Sequence, residues 1–178
     1  MLIILLLLIP AAVLGFSWYA YKRAFYVPKV HPADPDTPIP GEQYEAVAHL
    51  MKRATQAIMK HRFEPVRIQA IDGITLYGRL YLQDENAPIQ IIFHGYRSCA
   101  FRDCCGHTLA WKMGFNTLLV DQRASGESEG RAITFGVKER FDCLSWIRYI
   151  NSRFGAKNPV ILSGLSMGAA TVLSAAEL

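Results

Sequence analysis

Gly164-Leu165-Ser166-Met167-Gly168 places a serine between two glycines, with one residue on either side. The apolar run Val160-Ile161-Leu162 precedes it, and Ala169-Ala170-Thr171-Val172-Leu173 follows. That order reads as strand, sharp turn, helix. Serine chemistry needs such a turn, because it strains the serine backbone and lifts Oγ above the sheet. The flanking glycines remove side chains that would meet the neighbouring strand and helix. A serine at a helix N-terminus also sits where free amides and the helix dipole favour negative charge. Ser166 is therefore a candidate nucleophile, and the Met167 amide a candidate oxyanion donor. The plain alternative is a serine in an ordinary strand-to-helix turn.

His94-Gly95-Tyr96 closes a second apolar run, Ile89–Phe93. Parallel sheets build their sites at the carboxyl ends of strands. The loop after this strand can then face the loop carrying Ser166. Gly95 permits close backbone approach, and the Tyr96 amide is the candidate second oxyanion donor. His94 reads as a ring that orders its loop rather than as a general base. A third loop runs Asp121-Gln122-Arg123-Ala124-Ser125-Gly126 and on through Ser128 and Gly130. Its composition suggests a turn held by an Asp–Arg network. Asp121 could be imagined as a catalytic acid, but the structural role is preferred. His107, within a helical pattern, reads as a surface or core residue.

No metal or cofactor is expected. The cysteines, Cys99, Cys104, Cys105 and Cys143, contain no CxxC pair. They read as four free thiols in helices, which favours a reducing compartment. The 178 residues, 51% of them hydrophobic, suffice for one globular domain and not two. The net charge of +4 is spread along the chain, without the basic stripe that nucleic-acid binding needs.

These loops need a scaffold. Residues 66–70 and 74–82 alternate in hydropathy around Asp72-Gly73, which predicts a β-hairpin. After it, strands at 89–93, 117–120 and 159–163 alternate with helices at 102–113, 136–154 and from 167 onward. Apolar strands alternating with helices predict an α/β fold: an antiparallel hairpin leading into a mainly parallel sheet with helices on both faces. Ahead of this unit, 42–62 reads as an amphipathic helix, with Tyr44, Val47, Met51, Ala54 and Ile58 on one stripe.

Residues 1–21 carry no ionisable side chain except tyrosine. As a helix they would rise about 31 Å, the thickness of a hydrocarbon core. Trp18, Tyr19 and Tyr21 suit an interfacial belt. A single-pass transmembrane anchor is expected, with a cleaved signal peptide as the alternative. Lys22, Arg23 and Lys29 follow it, which places the rest of the chain on the cytoplasmic side, an extracellular placement being the other possibility. Residues 22–41, with five prolines from Pro28 to Pro40, read as a semi-rigid linker.

The ordered set His94-Gly95, Asp121-x-Arg123 with Gly126, Ser128 and Gly130, then Gly164-x-Ser166-x-Gly168 resembles the α/β-hydrolase superfamily. Within it, the stretch 133–142 through Trp146 is similar to bacterial membrane-anchored hydrolases near the prolyl-oligopeptidase (S9) peptidases and related esterases. The resemblance covers 63–178. It implies attack by Ser166 on a small-molecule ester or peptide, an acyl-enzyme, and oxyanion donors at Tyr96 and Met167. Ser125 departs from the glycine or histidine common at that place. The resemblance also implies an acid and a histidine on loops beyond Leu178, so the domain is expected to be an N-terminal fragment, inactive by itself. The competing reading is a non-catalytic, membrane-anchored binding protein of the same fold.

Overall fold

A computed structural model describes residues 2–28 and 41–178. The chain forms α1 (Leu2–Ala24), a 3-10 turn (Glu42–Tyr44), α2 (Ala48–Met59), β1 (Glu64–Gln69), β2 (Thr75–Tyr81) and β3 (Ile89–Phe93). It continues through α3 (Cys105–Lys112), β4 (Asn116–Asp121), α4 (Glu139–Phe154), β5 (Val160–Gly164) and α5 (Met167–Ala175).

The five strands make one sheet in the order β1-β2-β4-β3-β5. β1 and β2 are the antiparallel hairpin, and β2 also runs antiparallel to β4. β4, β3 and β5 are mutually parallel in sequence order β3 to β4 and β3 to β5. The sheet is thus mixed, with the parallel half on the side that carries the three loops.

Alternation explains why both faces are covered. Ile91 and Phe93 of β3, Leu118 and Val120 of β4, and Leu80 of β2 join Trp146, Cys143 and Ile150 of α4 in one core. Their neighbours Ile92, Leu119 and Tyr81 point the other way and meet Ile58 of α2 and Cys104 beside α3. Successive strand residues face opposite sides, so a strand buried on both must be apolar throughout. Leu118, Leu119 and Val120 are all fully buried. Trp146 is the largest side chain with almost no exposure, and truncating it would cost about 3–5 kcal/mol.

Several boundaries differ from the sequence reading. The helix expected over 42–62 is a 3-10 turn followed by α2 only from Ala48. α3 starts at Cys105 rather than near 102. α4 starts at Glu139 rather than Gly136, because Phe135 and Gly136 both have positive φ. The buried Glu139 carboxylate fixes that entry by accepting the Thr134 and Gly136 amides. Of the thiols, Cys99 and Cys104 lie before α3 and not in a helix, and burial raises the Cys99 pKa. Burial pushes Cys143 up to about 12, so it is a core side chain without thiolate reactivity at neutral pH.

At the N-terminus, Leu2–Ala24 is helical, with Lys22 and Arg23 in its last turn. Among the described residues no helix is long and apolar enough to cross a membrane. The expected transmembrane span thus finds no support in the fold. Most of the proline-rich linker, residues 29–40, lies outside the described residues.

Candidate active site

Ser166 stands between the end of β5 and the first residue of α5, with φ 52° and ψ −114°. Positive φ is uncommon for a residue with a Cβ and costs on the order of 1–3 kcal/mol. Such strain persists only where the surroundings enforce it. Here they do: a Cβ on Gly164 would overlap the Gly168 carbonyl, and one on Gly168 would overlap the Phe93 carbonyl. The turn is further closed by Leu165 donating to Phe93 O at 3.0 Å and Gly168 donating to Leu165 O at 2.8 Å.

β3 and β5 are adjacent and parallel, with Phe93 paired to Gly164. That register brings the His94-Gly95-Tyr96 loop alongside Ser166. A Cβ on Gly95 would lie 3.4 Å from Leu165 O and 3.6 Å from Ser166 Cβ. Both loops line one open cavity of about 440 Å³ with Tyr44 and Met51 from the segment around α2. Among the described residues, no hydrogen bond is donated by the Tyr96 amide. Met167 is the first residue of α5, so its amide has no intrahelical acceptor. Tyr96 thus lines the same cavity as Ser166, and Met167 directly follows the serine.

His94 is completely engaged elsewhere. Its Nδ1 donates to Gly95 O at 2.8 Å, and its Nε2 accepts the Gln122 amide at 2.9 Å. This is the neutral ring with the proton on Nδ1, and burial lowers its pKa further. Gln122 returns a bond to His94 O at 2.6 Å and receives one from Thr171 of α5 at 2.7 Å. A chain of side chains thus ties the loops after β3 and β4 to the helix behind Ser166. Gln122 and Thr171 were missed from sequence; only the position of Gln122 directly after a strand hinted at its role.

The Asp–Arg network exists, with other partners than the spacing suggested. Asp121 accepts the Ala100 amide at 2.9 Å and the Glu127 amide at 3.1 Å, and pairs with Arg79 at 3.7 Å. Arg123 makes a two-pronged contact with Asp142 at 2.7 and 2.6 Å and reaches Asp72 at 2.9 Å. Neither residue lines the cavity beside Ser166. His107 is buried in the core on the α2–α3 side of the sheet, bonded to Thr117 at 2.6 Å and to His61 at 3.3 Å. No described hydrogen bond joins Ser166 Oγ to a histidine. Among the described residues no group of three or more metal-binding side chains occurs.

Comparison with solved structures follows this geometry. The esterase Pf2001 of Pyrococcus furiosus superposes with a TM-score of 0.59 at 26% identity, over 66% of this chain and 48% of that one. DcsB, solved with a substrate analogue, matches at TM-score 0.58 and 26% identity, over 66% of this chain and 41% of its own. The fold is that of an α/β-hydrolase. Among curated proteins, a thiohydrolase (aneE) of Aspergillus aculeatus is 31% identical over 123 residues, 64% of this chain and 37% of the relative. No protein-family profile matches the chain. The chain spans about half the length, or less, of these relatives.

Proposed function

We propose that this protein is a serine hydrolase that cleaves a small acyl ester or thioester through an acyl-enzyme on Ser166. The observation that carries the reading is the strained Ser166 backbone, held beside the Gly95–Tyr96 loop at a cavity mouth. An ester or thioester, rather than a peptide, is favoured because the similar proteins are an esterase and a thiohydrolase.

In this mechanism Ser166 Oγ attacks the acyl carbonyl while a base takes its proton. The carbonyl oxygen gains the negative charge, and the Tyr96 and Met167 amides hold it. Losing one such donor typically costs 10²–10³ in rate. Collapse expels the alcohol or thiol, and water then releases the acid. His94 and His107 do not supply the base, since both ring nitrogens of each are engaged. The resemblance puts the base downstream of Ser166.

A fluorophosphonate probe tests the serine. The protein should label, and Ser166→Ala should abolish labelling. Hydrolysis of p-nitrophenyl esters should likewise depend on Ser166. Labelling that survives Ser166→Ala would remove the nucleophile assignment.

We further propose that α1 tethers the protein to a membrane, with the hydrolase part on the cytoplasmic side. Leu14, Phe16, Trp18 and Tyr19 are all exposed along the helix, an apolar surface that lipid would cover. The protein should remain with membranes after a carbonate wash. Release of a soluble chain starting near Trp18 would instead indicate a cleaved signal.

A further inference from the structure

The segment after α1 reaches back onto the site. Tyr26 forms a β-bridge with Ala132, and Val27 donates to Arg131 O at 2.9 Å. Ile133 donates to Phe25 O at 2.8 Å, and Arg131 Nη1 donates to Pro28 O at 2.6 Å. This is an isolated antiparallel bridge outside the main sheet.

Its two sides touch Tyr96 and Met167, the two candidate oxyanion donors. On one side, Tyr96 Oη donates to Ala24 O at 2.8 Å, and its ring stacks on Phe135 at 5.2 Å. Phe135 in turn meets Phe25 edge to face at 5.6 Å. Arg97 clasps the same segment: its Nη2 donates to Arg23 O at 2.7 Å and Tyr26 O at 3.3 Å, and its Nε donates to Tyr96 Oη at 2.8 Å. Arg97 holds a positive φ of 51°, a conformation that needs support from outside the turn. On the other side, Val27 packs into the small cluster of Ala124, Ile133 and Met167.

The rest of the Gly95–Tyr96 loop is also fixed. Asp103 accepts the Gly95 amide at 2.6 Å, and His94 and Ser98 donate to Gly95 O. Gly95 O and the Tyr96 N–H share one planar peptide unit, so these bonds also orient the Tyr96 amide. The Tyr96 side chain and Arg97 support that unit from its other side, and both lean on residues 23–26.

We propose that residues 23–28 brace both halves of the oxyanion hole, and that Arg97 is a positioning residue acting through the Tyr96 amide. The inference rests on the serine-hydrolase reading for its catalytic meaning. The brace itself is a separate physical claim. A transition state carries the oxyanion and the ground state does not, so a misplaced donor lowers kcat and leaves KM nearly unchanged.

The test compares Arg97→Ala, Arg97→Lys and Val27→Ala in the complete protein. Arg97→Ala should lower kcat for a p-nitrophenyl ester about tenfold or more, with KM within about twofold. It should weaken binding of an alkyl boronic acid, which mimics the tetrahedral state, by a similar factor while binding of the product carboxylate holds. Arg97→Lys should recover part of the loss, and Val27→Ala should show a smaller loss of the same kind. Amide hydrogen exchange is read in parallel on a Ser166→Ala background. Arg97→Ala should there speed exchange at residues 95–98, whatever the chemistry of Ser166. Unchanged exchange at those amides overturns the brace. So does an equal loss of boronate and carboxylate binding, which would mean a merely destabilised fold. Failure of the serine reading shows separately, as probe labelling that ignores Ser166→Ala.

Discussion

Gly168, the second residue of α5, lies so close to the Phe93 carbonyl at the end of β3 that no Cβ fits between them. Helix, Ser166 turn and the neighbouring strand are locked at this contact. The atoms facing Gly168 are backbone, which cannot rotate away. Gly168→Ala is expected to destabilise the fold by about 3 kcal/mol and to displace Ser166. Urea unfolding of the variant checks the first effect, and fluorophosphonate labelling the second. A stable Gly168→Ala protein that labels normally would contradict this packing.

Ser166 should be a site where stability and activity part. Its φ of 52° suits glycine better than any residue with a Cβ. Ser166→Gly is expected to be about 1 kcal/mol more stable than Ser166→Ala, although both lose the hydroxyl. Parallel denaturation curves give the difference. Equal midpoints would mean that the serine backbone carries no strain.

The two kinds of ion pair in the fold should behave differently. Arg123 and Asp142 are almost wholly buried and bonded at two points. Asp142→Asn leaves the buried guanidinium with only the more exposed Asp72 as counter-charge, at a cost of about 3 kcal/mol. Arg153 and Glu64 form their pair at the surface, partly open to water. Glu64→Gln should cost less than about 1 kcal/mol. Chemical denaturation of both variants tests the contrast.

His107 should make stability fall in mild acid. Burial, reinforced by neighbouring His61, holds its pKa at about 4, against an ordinary value of 6.5. The unfolded chain therefore takes up the proton first. This contribution is complete above about pH 6.5 and is lost progressively down to about pH 4, a difference of about 3 kcal/mol. Denaturation midpoints at pH 7 and pH 4.5 should differ by less in His107→Gln than in the native protein. An unchanged pH slope in that variant would show that His107 does not titrate in the window.

Much of the site was legible because it is local. The strand–turn–helix around Ser166 follows from apolar alternation, two glycines and a helical run within fifteen residues. Those features act through backbone sterics and burial period, and neither needs a distant partner. His94 as an ordering ring was also readable, since it directly follows β3 and precedes Gly95. The α2 and α4 starts were misplaced for a complementary reason. Hydrophobic spacing continues through a 3-10 turn or a positive-φ pair, while the backbone does not.

What only the tertiary structure decided is which distant groups meet. Arg123 could have paired with Asp121, two residues away, yet it reaches Asp142 on α4 and Asp72 in the hairpin turn. Asp121 turns instead to Arg79 and the Ala100 amide. Strand order and register choose those partners, and the chain pattern does not encode them. The same holds for Tyr96 and Ala24, bonded across 72 positions of sequence. Amphipathic spacing tells each segment which face to bury. It does not say which surface will cover that face, because that choice is a sum of many weak contacts over the assembled sheet.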